Sequence, residues 1–224
     1  MGNEKKVYLA YMILIILFVG IIFAIPYLAF TQDMGAEYNA FSYSCHQKLT
    51  RSICLFSAGS GYWIGDCTNQ SGKFVNDPND RTTIKVTKQD TNADLNQLTI
   101  TGYKFPVCAR DVGIYGALLL GGLVYPFVRK LENRTIYPSI WLILAIVPLG
   151  LDGTTQLVSE LGLLPFVYES TNMMRLLTGA IAGFAAAFYV IPILVNIFYN
   201  ERDIANETKS AKKNERRKNK ETKK

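Results

Sequence analysis

Val107-Cys108-Ala109-Arg110-Asp111-Val112-Gly113-Ile114-Tyr115 puts a thiol, a guanidinium and a carboxylate just ahead of an apolar run that ends at Val128. Charged groups are costly in hydrocarbon and ordinary in water, so this order of residues marks a point where a chain enters a bilayer. The run meets no further charge until Arg129 and Lys130, and Gly113, Gly116, Gly121 and Gly122 lie along it. Small residues let membrane helices approach closely. The stretch therefore predicts a spanning helix over 112–128 with a polar edge at its start.

Three further runs surround it. Val7 to Phe30 is uncharged throughout, longer than the roughly 20 residues that span a bilayer as a helix. Lys5 and Lys6 precede it, as in a signal peptide. A signal peptide has a shorter apolar stretch, and no convincing small-x-small cleavage site follows here, so an uncleaved anchor is expected. Pro26 is expected to kink its end. About Tyr137 to Val158 is apolar up to Gly150 and then carries Asp152, Thr154, Thr155 and Gln156. About Met173 to Tyr199 has Gly179, Gly183 and several alanines for packing.

The chain thus divides into an N-terminal anchor (1–30), a polar loop or subdomain (31–111), a three-helix membrane region (112–199) and a basic tail (200–224). In the loop, Ile84/Val86 and Leu98/Ile100 alternate with polar residues, which predicts a hairpin inside a small β-containing unit. The tail is almost free of apolar residues and is expected to be disordered or to lie on the membrane surface. The fold class is all-α membrane, a four-transmembrane-helix bundle with a small extracytoplasmic β-containing insertion.

The net charge of +6 does not indicate nucleic acid. Residues 201–224 hold ten Lys/Arg against five Asp/Glu, so the tail supplies +5 and the rest is nearly neutral. Charge instead sets orientation. Lys5/Lys6, then Arg129/Lys130/Arg134, then the tail all fall on one side of four spans, and positive charge in short flanks marks the cytoplasmic side. A multi-pass protein of the cell membrane follows, with both termini cytoplasmic and lipid as its first partner.

That topology gathers Cys45, His46, Cys108, Arg110, Asp111, Asp152, Gln156, Asn172 and Arg175 near the outer boundary. Asp152 and Gln156 are four apart and share a helix face, as do Asp111 and Tyr115. A carboxylate in a membrane helix usually faces inward and finds a partner, and Arg175 is the expected one. Asn172 follows Ser170 and Thr171 where a helix N-cap belongs. The residues placed to carry chemistry are Asp152, Gln156, Arg110, Arg175, Asn172 and Tyr115.

Four cysteines on an oxidising side suggest disulfides. Cys54 and Cys67 are close in sequence and are expected to pair. Cys45 and Cys108 then either form a second bridge or join His46 and Asp111 as ligands of a metal, zinc being the candidate cofactor. No phosphate-binding loop, H-E-x-x-H, G-x-S-x-G or dinucleotide fingerprint occurs.

Cys45-His46-Gln47, Arg51-Ser52, Cys108-Ala109-Arg110 with Gly113-Ile114-Tyr115, Asp152-Gly153 with Gln156, and Asn172 with Arg175, Thr178 and Gly179 resemble a family of small prokaryotic integral membrane proteins. That family is known as a domain of unknown function, with C-H-Q, C-A-R-C-x-G-I-Y, D-G-x-x-Q and N-x-x-R-x-x-T-G blocks. The resemblance covers about 41–56 and 105–190 and implies a membrane protein without fixing an activity. Asp111 stands where the family's second C-A-R-C cysteine would be. That removes a C-x-x-C dithiol and disfavours redox exchange, whereas carboxylate can replace thiolate at zinc.

The leading expectation is an integral membrane protein with a polar, zinc-accepting site at the outer face; if it is an enzyme, the expected class is a hydrolase or transferase acting on a lipid-linked or extracytoplasmic substrate. Cys45, His46, Cys108 and Asp111 would hold the ion, Asp152 would act as base or acid, and Arg110 and Arg175 would neutralise substrate charge. The alternative is a non-enzymatic accessory or assembly protein with structural disulfides and a buried Asp–Arg pair. A small transporter ranks third, because only one acid lies clearly within a span. The sequence names no protein partner.

Overall fold

The computed structural model describes residues 3–43, 49–58, 61–67, 73–75, 85–89, 100–133 and 135–221. In chain order the elements are α1 (Asn3–Leu28), α2 (Gly35–Ser42), β1 (Ile53–Ala58), β2 (Gly61–Asp66), β3 (Lys73–Val75), β4 (Lys85–Gln89), β5 (Ile100–Lys104), α3 (Ala109–Val128), α4 (Ser139–Glu160) and α5 (Asn172–Glu221). Among the described residues, four helical segments are long and apolar enough to cross a membrane: Glu4–Leu28, Ala109–Val128, Ser139–Glu160 and Asn172–Phe198. They run alternately up and down. One end of the bundle carries the sheet and the 161–171 connection, and the other carries the 129–138 connection and the continuation of α5.

α3 and α5 form the centre, and glycine explains their closeness. A Cβ on Gly113 would strike the Leu176 carbonyl, one on Gly179 the Arg110 carbonyl, and one on Gly183 the Ile114 carbonyl. Backbone meets backbone along this seam, as small residues allow in membranes. α1 lies against α3 through two tyrosines: Tyr8 donates to the Gly122 carbonyl at 3.0 Å and Tyr11 to the Leu118 carbonyl at 3.0 Å. Pro126 sits four residues after Gly122 and has no N–H to give it. Tyr8 supplies the missing donor where no water is at hand. α4 packs mainly on α5, and Ile140, Trp141, Ile143, Leu144, Val147 and Leu151 remain exposed along it.

The insertion is a five-stranded antiparallel sheet in the order β2-β1-β5-β4-β3. β4 and β5 pair, as the alternation predicts, but β5 begins at Ile100 and extends beyond the expected strand. Ile84 and Leu98 lie outside the described residues. Cys54 on β1 and Cys67 after β2 form the expected disulfide. Phe56 is fully buried, and its ring occupies the space where Gly102 on β5 lacks a side chain. Tyr38 of α2 is also fully buried, and its hydroxyl donates to the Lys104 carbonyl. Burial pushes that phenol above the ordinary range. Ile25, Ala29, Met34 and Tyr38 form one apolar cluster, and Ile22, Phe105 and Val107 another. Together they seat the sheet on the end of α1.

The tail differs from the expectation of disorder: α5 continues as helix to Glu221. Residues 201–221 are rich in Lys, Arg and Glu, which are good helix formers, and hold no Pro or Gly to break a helix already nucleated in the span.

Candidate functional site

Arg110 lies in the first turn of α3 and reaches across to α4, where its Nη2 donates to the Asp152 carboxylate in an ion pair. The guanidinium passes over Gly153, where a Cβ would come within 3.3 Å of Nη1. The glycine after Asp152 thus keeps the path of the arginine open. Tyr168, in the connection after α4, donates to the other carboxylate oxygen at 3.0 Å. Buried Ser170 faces the same carboxylate. The hydrogen bond to Asp152, with some burial, raises the Tyr168 phenol above its usual value. Asp152 is buried, at 7 % exposure, and takes its donors from α3 and from the connection.

Its partner is therefore Arg110 and not Arg175, a correction to the pairing expected from depth alone. Arg175 lies one turn into α5 and is 2 % exposed. Among the described residues, no hydrogen-bond acceptor meets its Nε, Nη1 or Nη2. Among the described residues its nearest carboxylate is Glu169, 4.0 Å away on a side chain that is 52 % exposed. Arg51, Arg110 and Asp152 also lie within electrostatic range. Gln156, one turn beyond Asp152, is buried with its Nε2 likewise unmet among the described residues.

The insertion completes the cluster. A 3-10 turn at Leu49–Arg51 carries Arg51, which pairs with Glu160 at the end of α4. Asn172 Nδ2 donates to the buried Ser52 carbonyl at 3.2 Å, and its Oδ1 has no hydrogen bond among the described residues. Asn172 is not the cap of α5. Thr171 fills that position, accepting from the Met174 N–H at 3.3 Å. Asn172 instead ties the insertion to the bundle.

The remaining predicted residues fall elsewhere. Cys108 Sγ donates to Asp111 Oδ2 at 3.1 Å. Cys45 and His46 lie outside the described residues, and among the described residues no group of three or more His, Cys, Asp or Glu is placed to hold a metal. Tyr115 turns toward α1, its ring edge-on to Phe18 at 4.7 Å, away from Asp152. The structure thus joins Arg110, Asp152, Gln156, Asn172 and Arg175 at one end of the bundle and leaves Tyr115 on the α1 side. It adds Arg51, Glu160, Tyr168, Glu169 and Ser170, which sequence reasoning missed. Arg51 had a signal in the Arg51-Ser52 block; Tyr168 had none beyond its place in a short connection.

Comparison with known proteins follows from this arrangement. Residues 93–189 match the model of a family described as a predicted membrane protein (DUF2085). The uncharacterised protein MJ1492 of Methanocaldococcus jannaschii is 30 % identical over 205 residues, covering 88 % of this chain and 98 % of that protein. The chain belongs to the DUF2085 family. The DUF2085 match begins before β5 and ends within α5, so it contains the Arg110–Asp152 pair, Gln156, Asn172 and Arg175 but not Arg51. No solved structure matches this DUF2085 chain.

Proposed function

We propose that this DUF2085 protein is a multi-pass protein of the cell membrane whose outer boundary carries a site for an anionic, lipid-linked or extracytoplasmic substrate, acted on by hydrolysis or group transfer. The basic flanks support cytoplasmic termini and an outer sheet, and the Cys54–Cys67 bond suits an oxidising side. The observation that carries the reading is Arg175: a guanidinium almost wholly buried, with its three nitrogens unmet among the described residues. A buried cation without acceptors is strongly unfavourable, and a bound anion would remove the penalty. Asp152 accepts from the Arg110 guanidinium and the Tyr168 phenol and would serve as the base. Cys108 and Asp111, with Cys45 and His46, offer donor types that zinc accepts. Zinc so bound would activate water as a Lewis acid.

A second reading is a non-enzymatic accessory or assembly protein. It is favoured by the full engagement of Asp152, which a register-fixing ion pair would also explain. The test is to purify the full chain without chelators, measure bound metal, and follow phosphate release from phosphatidate in vesicles. Metal together with release that Asp152→Asn abolishes supports the hydrolase. No metal, four oxidised cysteines and no release support the accessory role.

A further inference from the structure

Two apolar grooves between α4 and α5 run into one another. One, of about 340 Å³, lies at the end opposite the sheet and is walled by Tyr137, Trp141, Phe188 and Tyr189. The other, of about 460 Å³, continues past Ala145, Leu120 and Leu177. Phe184 and Ala185 line both. From Tyr189 back to Leu177 is just over three turns of α5, roughly 18 Å. Leu120, Leu177 and Ile181 are about half exposed along this length, so it opens sideways to lipid. Polar groups gather at the Tyr137 end. Arg129 ends α3, and its guanidinium lies over the Tyr137 ring, with Cζ 4.5 Å from the centroid. Its Nη2 donates to Asn133 Oδ1 at 3.2 Å and to the Thr135 hydroxyl, which fixes the guanidinium in place. Its Nη1 is buried and meets no acceptor among the described residues. Tyr125, one turn before Arg129, is 1 % exposed, and its hydroxyl likewise has no hydrogen bond among the described residues. Arg129 and Tyr137 lie within electrostatic range of that hydroxyl. The Tyr125 ring packs on Phe188 at 5.5 Å. Tyr137 and Phe188 thus join the polar groups directly to the groove wall.

We infer that this end of the bundle binds one anionic phospholipid, its phosphate accepting from Arg129 Nη1 and the Tyr125 hydroxyl and one hydrocarbon chain lying in the α4–α5 groove. The site is separate from the Arg110–Asp152 cluster at the other end and does not rest on the reading of Arg175. Three lines carry it. Two buried donors without acceptors are unfavourable, and phosphate oxygens answer both. The groove that meets them is apolar and open to the bilayer, so a phosphate carried on a hydrocarbon chain satisfies both halves. A second copy of the chain would fill the groove and leave the donors unmet, and a soluble anion would do the reverse. The 129–138 connection carries three basic residues and one acid. The basic flanks assign this end to the cytoplasmic side, where anionic headgroups lie.

The experiment uses the full chain in detergent with equimolar dioleoyl phosphatidylglycerol and dioleoyl phosphatidylcholine, read by native mass spectrometry. The wild type is expected to keep one phosphatidylglycerol in clear preference. Arg129→Gln should lower that retention by roughly tenfold, as for loss of a hydrogen bond to a charged group. Arg129→Lys keeps the charge for membrane insertion and should still lose several-fold, because lysine lacks the planar fork. Tyr125→Phe should lose a few-fold. Ala185→Leu fills the stretch common to both grooves and should lower retention of either lipid. Lys130→Gln removes a neighbouring exposed charge and should lower retention far less than Arg129→Gln. Arg175→Gln should leave it unchanged, which separates this site from the one at the other end. Equal losses in Lys130→Gln and Arg129→Gln overturn the inference in favour of diffuse charge. Retention indifferent to Ala185→Leu overturns it, as does a lipid-free dimer that Ala185→Leu dissociates.

Discussion

Arg110 and Asp152 join two helices that otherwise touch little: the guanidinium leaves α3, crosses Gly153 and ends on the α4 carboxylate. The pair is buried on the Asp152 side and partly open on the Arg110 side. Removing one charge strands the other. Asp152→Asn should cost about 2–3 kcal/mol in thermal unfolding in detergent, at the low end for a broken buried pair because Arg110 keeps some exposure. The double variant Arg110→Met/Asp152→Leu should recover most of that loss. A double variant worse than the sum of the two single losses would count against this account.

Tyr168 extends the same pair and gives it a pH limit. Its phenol is raised because it donates to Asp152, so the folded chain holds that proton more tightly than the unfolded chain. The sign follows: this contribution is complete below pH 10, the ordinary phenol value, and falls as pH rises past it. In alkaline titrations of stability, Tyr168→Phe should be lower than wild type at neutral pH, and the gap should shrink above pH 10. A gap independent of pH would place the effect in packing.

Glycines separate contact from composition. Gly179→Ala drives a methyl into the Arg110 carbonyl and should cost about 1–3 kcal/mol through overpacking. Gly116 has nothing within 4 Å, so Gly116→Ala should stay within about 0.5 kcal/mol of wild type. Equal effects at both sites would argue that α3 and α5 do not meet as described.

The Tyr8 hydroxyl answers a gap that Pro126 creates. Tyr8→Phe should cost about 1 kcal/mol, typical of a membrane hydrogen bond. Pro126→Ala restores a backbone N–H four residues after Gly122, so Tyr8→Phe/Pro126→Ala should lose less than Tyr8→Phe alone. Melting temperatures of the single and double variants measure this.

The four spans were legible because each is a long apolar run bounded by charge, and the Cys54–Cys67 bond because the two lie close within one loop. Which residue meets Asp152 was not legible. Arg110 and Arg175 lie at similar depth, and the choice depends on how α3, α4 and α5 rotate, which is set by Gly113, Gly153, Gly179 and Gly183 acting across helices. The strand at Ile53–Ala58 was hidden because its apolar residues run together instead of alternating, while Gly61–Asp66 carries two glycines. The helix runs on through 201–221 because a composition that cannot build a core can still extend a helix begun upstream.

The claim at the centre of this account is that Arg175 is an anion seat. A crystal structure of the full chain grown in a lipid phase doped with phosphatidate tests it directly. The account predicts a phosphate within hydrogen-bond distance of Arg175. Arg175 donating to carbonyls of its own chain, with no headgroup beside it, would contradict it.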